Sequence, residues 1–121
     1  MSELKVLLVD DEEELVSTLV ERLEYRQIKA VFLLTGAAAI QRMREETFDV
    51  VVLDLKLPGI SGIETMRVIK KEHPEVPIIL ITGHGSLANE EDMPKGAFDY
   101  LPKPIDLEIL VQKIREAVAV K

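Results

Sequence analysis

Five polar side chains, each directly after an apolar run, are the residues of this sequence best suited to do chemistry. They comprise carboxylates, one hydroxyl and one ammonium: Asp10, Asp11, Asp54, Thr82 and Lys103. Carboxylates held close together repel, so at least one of their pKa values would rise unless cations neutralise them. Lys103 would supply one positive charge, and a hard divalent cation such as Mg²⁺ would supply the rest.

Such a cluster suits phosphoryl transfer. That reaction needs an in-line nucleophile, a metal ion that neutralises charge, and donors directed at the equatorial oxygens. Asp54 is a competent nucleophile and would form an aspartyl phosphate. Thr82 could donate a hydrogen bond to a phosphoryl oxygen, and Lys103 could pair with one.

The elements that would position these groups alternate along the chain. Apolar runs predict strands, and amphipathic stripes between them predict helices. The predicted strands cover residues 4–9, 28–34, 48–53, 77–81 and 97–101. The predicted helices cover residues 12–25, 36–46, 62–72 and 105–120, with a poorer helical stretch at 86–95.

This alternation predicts an α/β domain with one five-stranded parallel sheet, built from βαβ units with helices on both faces. The carboxyl ends of parallel strands share one edge, which is where open α/β sheets bind ligands. The five polar groups should therefore converge on one pocket.

Composition narrows the function classes. A chain of 121 residues with 47% apolar residues predicts one folded domain. Its net charge of -7 disfavours nucleic acid and anionic membranes as direct partners. It has no cysteine, no signal-peptide pattern and no apolar run long enough to cross a bilayer, so a cytoplasmic protein is expected.

Each polar residue also has an ordinary structural explanation. Asp54 could cap the turn that follows it, and Asp11 is a plausible N-cap of the first helix. Thr82 alone would be a loop hydroxyl, and Lys103 alone a solvated surface charge. Their joint placement at the ends of four strands favours a functional site.

The chain resembles a response-regulator receiver domain, from Leu4 to its end. The resemblance lies in the acidic pair 10–11, Asp-Leu-Lys-Leu-Pro-Gly-Ile-Ser-Gly at 54–62, Thr-Gly-His-Gly at 82–85 and Tyr-Leu-Pro-Lys-Pro at 100–104. It implies a flavodoxin-like sheet of order 2-1-3-4-5 and a single receiver domain over residues 1–121. The local sequence around Asp54 and Gly83 is similar to that of receiver domains in enhancer-binding transcription activators and in hybrid sensor kinases.

The resemblance also implies a role for each site residue. Asp54 would be the phosphoacceptor, with a histidine kinase or phosphotransfer protein as donor. Asp11, Asp54 and the backbone carbonyl of Lys56 would bind Mg²⁺, with Asp10 helping through water. Lys103 would hold the phosphoryl group, and its bond to Pro104 would be cis.

The resemblance also implies a conformational switch that responds to phosphorylation. Thr82 would move towards the phosphoryl oxygen, and Tyr100 would change rotamer. That change would reach the face made by the fourth helix, the fifth strand and the last helix. Lys56 and His84 would flank the phosphoryl group and tune its hydrolysis. For His84, an equally weighted alternative is that it is a solvated loop residue without a role in hydrolysis.

The region before the fifth strand departs from the family pattern. It is slightly short, is acidic at residues 90–92 and contains Pro94, which breaks helix interiors. We therefore expect the fourth helix to be short or irregular. The resemblance further implies that the domain controls either an output domain after Lys121 or a separate partner protein. A dimer that forms on phosphorylation is a further expected partner state.

Two alternatives stay open. An aspartate-nucleophile phosphohydrolase also uses Asp, Thr and Lys around Mg²⁺, but it needs a second Asp where this chain has Lys56. A phosphate-independent interaction domain would have lost the site residues, and this chain keeps them. The expected protein is therefore a phosphoacceptor that assists its own phosphorylation and dephosphorylation, and not an enzyme.

Overall fold

The computed structural model describes residues 4–83 and 94–120. The strands are β1 (Leu4–Val9), β2 (Ile28–Leu33), β3 (Val50–Asp54), β4 (Ile78–Thr82) and β5 (Asp99–Pro102). The helices described are α1 (Glu13–Glu24), α2 (Gly36–Glu45), α3 (Gly62–Glu72) and α4 (Leu107–Ala119).

All five strands are parallel and lie in the order β2-β1-β3-β4-β5, as expected. The central strands β3 and β4 are buried along their whole length, which explains why they read as continuous apolar runs and not as alternating patterns. The sheet order places β1, β3 and β4 side by side, so the ends of these strands are neighbours at one edge of the sheet.

Helices cover both faces of the sheet. On one face α1 and α4 bury an aliphatic cluster that includes Val16, Leu19, Leu110 and Ile114. On the other, α2 and α3 pack Met43, Met66 and Ile69 against Leu80 and its neighbours. Each helix thus buries the stripe that its sequence periodicity indicated. No helix in the described ranges is long and apolar enough to span a membrane.

Side chains cap three of the four described helices. Thr35 accepts the Ala38 N–H at 3.1 Å, Ser61 accepts that of Glu64 at 3.2 Å, and Asp106 accepts that of Ile109 at 3.2 Å. The exception is α1, whose N-cap residue Glu12 makes no side-chain cap hydrogen bond. The prediction of Asp11 as the N-cap was wrong, because the helix begins one residue later than expected.

The other differences lie at element ends. β5 spans Asp99–Pro102 and not residues 97–101, because Gly96 adopts a φ of +103° and a turn occupies residues 95–96. The Phe98 N–H already bonds to the Ile78 carbonyl at 2.7 Å before the strand begins. The predicted irregular helix lies outside the described residues, except for its last two positions, which are not helical.

Candidate functional site

Polar residues from four strands meet at the carboxyl edge of the sheet. Asp10 directly follows β1, Asp54 and Thr82 are the last residues of β3 and β4, and Lys103 directly follows β5. The strand register explains the meeting, since Asp54 lies beside Ile81 and Thr82 lies beside Pro102. The fold thus brings together residues that are far apart in the chain.

Carboxylates of Asp10, Asp11 and Asp54 form a compact acidic cluster. Each offers an oxygen, and these oxygens all lie within 4.8 Å of one another. Asp10 is fully buried, Asp54 is 4% exposed, and Asp11 is exposed. Buried like charges at this spacing require a cation nearby.

Lys103 supplies that cation among the described residues of the cavity. Its Nζ atom lies 3.1 Å from Asp10 Oδ2, 3.2 Å from Asp54 Oδ2 and 3.2 Å from Glu12 Oε1. The approaches to Asp54 and Glu12 have hydrogen-bond geometry. The approach to Asp10 Oδ2 is an ion pair without hydrogen-bond geometry, and that buried oxygen has no hydrogen bond within the described chain.

Backbone amides fix the orientation of the two buried acids. Asp10 Oδ1 accepts the Glu12 N–H at 2.9 Å, and Asp54 Oδ1 accepts the Lys56 N–H at 3.1 Å. The Lys103 N–H donates to the Thr82 carbonyl at 2.9 Å, which ties the loop after β5 to the end of β4. The Lys103–Pro104 bond is cis, as expected.

The site shifts the pKa values of its charged groups. Burial is the main cause that raises the pKa of Asp10. The Glu12 backbone N–H opposes the increase, and the negative charge of Asp54 adds to it. For Lys103, burial by itself would lower the pKa. Its close contacts and charge interactions with the carboxylates of Asp10 and Asp54 outweigh that effect and raise the pKa above its ordinary value. Lys103 is therefore a permanent cation.

An open cavity of about 710 Å³ gives access to this cluster. Its lining includes Asp11, Glu12, Asp54, Lys56 and Lys103, together with Gly83 and apolar residues after the cis bond. Asp54 is thus nearly buried yet borders a space that a small phosphorylated group could enter. The oxygen donor set of the three acids, with one buried oxygen lacking a hydrogen bond, fits a hard divalent cation.

Thr82 and Tyr100, the predicted switch residues, are not among the described residues that line the cavity. Thr82 is 6% exposed at the end of β4. Tyr100 is half-buried and packs against the apolar cluster under α2 and α3. The next residue, Leu101, belongs to the cluster on the opposite face, under α1 and α4. His84 lies outside the described residues. The roles assigned to all three stay predictions.

Sequence reasoning missed one member of the site, Glu12. The sequence placed it only in the predicted helix 12–25, yet its carboxylate reaches Lys103. The available signal was its position directly after the acidic pair, where a long acidic side chain at the start of α1 borders the strand edge. His73, directly after the predicted helix 62–72, is the C-cap of α3.

Comparisons with known proteins agree with this arrangement. Residues 6–115 match the family model of the response regulator receiver domain. The chain is 37% identical over 112 residues to the transcriptional regulatory protein CpxR of Escherichia coli, covering 92% of this chain and 47% of CpxR. It is 32% identical over 115 residues to the DNA-binding transcriptional regulator NtrC of Escherichia coli, covering 94% of this chain and 24% of NtrC.

A solved structure shows the same fold. The response regulator receiver domain protein of Clostridium thermocellum superimposes with a TM-score of 0.89 at 32% identity, over 97% of this chain and 95% of that chain. The chain spans half or less of the length of the first curated relatives it matches. The family match over residues 6–115, the sheet order and these relatives lead to one identification: the chain belongs to the response regulator receiver domain family, the signalling domains of two-component systems.

Proposed function

We propose that this domain is a Mg²⁺-dependent phosphoacceptor switch in which Asp54 accepts one phosphoryl group. The observation that carries the proposal is the environment of the Asp54 carboxylate. It is 4% exposed, borders the cavity, and is held between Lys103 Nζ at 3.2 Å and the Lys56 N–H at 3.1 Å. Such fixed donors orient a nucleophile for in-line attack.

The proposed step is a transfer from a phosphohistidine of a kinase or phosphotransfer protein. One carboxylate oxygen of Asp54 forms a bond to phosphorus while the phosphorus–nitrogen bond to the donor histidine breaks. The electron pair of that bond stays on the imidazole nitrogen, which takes up a proton. The aspartyl phosphate later returns to aspartate and inorganic phosphate by attack of water.

Lys103 and Thr82 are proposed to stabilise the transferred group. Lys103 carries a permanent positive charge beside Asp54 and can pair with a phosphoryl oxygen. Thr82 is the last residue of β4, next to the strand that ends at Asp54, and its hydroxyl is the proposed donor to a second phosphoryl oxygen.

The acidic cluster is the proposed site for Mg²⁺. Asp11, Asp54 and the carbonyl of Lys56 would be ligands, and Asp10 would act through water. The ion would neutralise the charge of the acids and of the phosphoryl oxygens. In support, the three acids place oxygens within 4.8 Å of one another, and Lys103 alone offsets only one of their charges.

The proposed output follows from the position of Tyr100. We propose that residues 1–121 act as one receiver unit, and that movement of Thr82 on phosphorylation alters the rotamer of Tyr100 and the surface of β5 and α4. The relatives CpxR and NtrC are transcriptional regulators. We therefore propose control of an attached or separate output, with phosphorylation-dependent dimerisation as one form of that control. Lys56 and His84 are the proposed residues that set the lifetime of the phosphate.

The test is incubation with acetyl phosphate and Mg²⁺, followed by intact-protein mass spectrometry. We expect the mass to increase by one phosphoryl group in the wild type and in the control variant Asp106→Asn, whose new side chain still caps α4. Asp54→Asn should show no increase. Labelling that persists in Asp54→Asn, or a wild type that takes up no phosphate, would overturn the proposal.

A further inference from the structure

Three carboxylate oxygens already surround the ammonium group of Lys103 within the described chain. An ammonium carries three N–H donors. Carboxylate oxygens of Asp10, Glu12 and Asp54 lie 3.1 to 3.2 Å from its Nζ atom. Two of these approaches are hydrogen bonds and the third is an ion pair, so a phosphoryl group on Asp54 must compete with these carboxylates for Lys103.

Two of the three partners cannot readily leave. The Asp10 side chain is fully buried, and its other oxygen is fixed by the Glu12 N–H. The Asp54 side chain is 5% exposed and is the phosphoacceptor of the proposed function, on which this inference rests. The Glu12 side chain is 59% exposed, so water can solvate it as soon as it leaves Lys103.

The start of α1 supports a dedicated role for this contact. Three other helices use the side chain of their N-cap residue to bond an amide of the first turn. Glu12 is also an N-cap residue, but its carboxylate bonds to Lys103 and not to its own helix. The backbone N–H of Glu12 donates to Asp10 Oδ1, and this bond fixes the position of Glu12 beside the cavity. The Glu12 side chain is part of the cavity lining.

We propose that Glu12 occupies the position of a phosphoryl oxygen on Lys103 in the unphosphorylated protein, and that it must be displaced when Asp54 is phosphorylated. Glu12 is then a positioning residue that acts through Lys103. It keeps the ammonium paired when the site is empty of phosphate, and it weakens the hold of the site on a phosphoryl group. Because Glu12 is anionic, its release also removes negative charge from beside the incoming group.

The probe is beryllium fluoride with saturating Mg²⁺, because beryllium takes a carboxylate oxygen as its fourth ligand and mimics a phosphoryl group on aspartate. We compare wild type, Glu12→Gln, Glu12→Asp and the control Glu13→Gln. Glu13 carries the same charge and is exposed in the first turn of α1, and it is not among the residues that line the cavity in the described chain.

Glu12→Gln should bind beryllium fluoride about three- to tenfold more tightly than the wild type, the size expected for losing one partly exposed ion pair. Glu12→Asp keeps the charge but shortens the reach, so its affinity should fall between these two. Glu13→Gln should match the wild type. The affinity for Mg²⁺ alone should not increase in any variant.

Different failures have different meanings. If the wild type binds no beryllium fluoride, the proposed function itself fails. If it binds but Glu12→Gln equals Glu13→Gln, only the role of Glu12 is overturned. If Glu12→Asp equals the wild type while Glu12→Gln binds more tightly, charge alone is responsible and the contact with Lys103 is not. Circular dichroism of each variant confirms that all are folded.

Discussion

The Nζ atom of Lys103 lies 3.2 Å from Oδ2 of Asp54, which is 49 residues earlier in the chain. The two meet because β3 and β5 flank β4 in a parallel sheet, so that both strand ends open onto the same edge. Lys103 therefore offsets part of the negative charge of the acids and, by its own charge, opposes the binding of a second cation. A variant without the Lys103 charge should therefore change metal binding and phosphorylation in different directions.

Replacing Lys103 with Met should have opposite effects on metal binding and on phosphorylation. Mg²⁺ should bind about three- to tenfold more tightly, because a competing positive charge is lost. Phosphorylation by acetyl phosphate should slow about 100-fold, the usual cost of removing one donor to a transferred group. Calorimetric titration and mass spectrometry measure the two quantities.

The control for this variant is Lys71→Met, in the last turn of α3. It removes the same charge from an exposed position and should change neither quantity by more than about twofold. Weaker Mg²⁺ binding in Lys103→Met would show that the ammonium supports the metal site and does not compete with it.

Gly62 allows α3 to start directly against the backbone at the end of β3. A Cβ atom on Gly62 would lie 2.1 Å from the Asp54 carbonyl oxygen and 2.6 Å from the Leu55 Cα. The Gly62 N–H also bonds to the Leu55 carbonyl at 3.0 Å. Gly62→Ala should therefore lower the free energy of unfolding by about 2–4 kcal/mol and weaken Mg²⁺ binding, because backbone atoms at Asp54 must move.

Gly59→Ala is the matched control for Gly62→Ala. Gly59 has a φ of +73°, but a Cβ there meets nothing within 4 Å. The strain should lower the free energy of unfolding by about 1–2 kcal/mol without altering Mg²⁺ affinity. Urea unfolding measures the free energy of unfolding of both variants, and calorimetric titration measures their Mg²⁺ affinity. Equal effects of the two substitutions on Mg²⁺ would contradict the packing explanation.

The sequence predicts the sheet, and it predicts that Asp10, Asp54 and Lys103 lie together. Both predictions rest on sequence patterns that are local to each strand. A buried parallel strand reads as an apolar run, and the first polar residue after it marks the edge of the sheet. Strand order came from the family resemblance, because the apolar runs of β2 and β5 do not say which strand each one joins.

The contact of Glu12 with Lys103 could not be predicted from a local sequence pattern. It depends on the exact residue at which α1 begins and on the rotamer of a long side chain. A helix start is uncertain by a residue or two from sequence. The same uncertainty explains why Asp11 was wrongly expected to cap α1: Asp10 and Asp11 are adjacent acids, and only the fold shows that Asp10 accepts the Glu12 N–H.

An ion pair between α2 and α3 should make stability depend on pH. Arg44 Nε and Nη2 donate to the two carboxylate oxygens of Glu72 at 2.9 and 2.7 Å. The hydrogen bond from Arg44, and then its charge, lower the pKa of Glu72. A lowered folded-state pKa stabilises the protein above the ordinary pKa of glutamate, and this contribution disappears as pH falls through the lowered value.

Arg44→Gln should accordingly lower the melting temperature by a few degrees at neutral pH. The difference from the wild type should vanish in strong acid, where Glu72 is protonated in both proteins. Glu72→Gln, alone and combined with Arg44→Gln, completes a double-mutant cycle that isolates the pair. A difference in melting temperature that stays constant with pH would mean that Arg44 acts by packing and not by charge.

The hydroxyl of Thr82 should matter for signal output more than for folding. Thr82 is 6% exposed, and its carbonyl accepts the Lys103 N–H at 2.9 Å, a backbone bond that survives side-chain substitution. Thr82→Ala should therefore lower the free energy of unfolding by only about 1 kcal/mol. Asp54 should still be phosphorylated, because its contacts with Lys103 and the Lys56 N–H do not involve Thr82.

What Thr82→Ala should lose is the response of β5. Amide spectra recorded with and without beryllium fluoride should show a clear shift at Tyr100 in the wild type and in Thr82→Ser, which keeps the hydroxyl. In Thr82→Ala most of that shift should be absent, while shifts at Lys56 stay. If Tyr100 responds equally in all three proteins, the signal reaches β5 by another route, and the backbone bond between Thr82 and Lys103 is the next one to test.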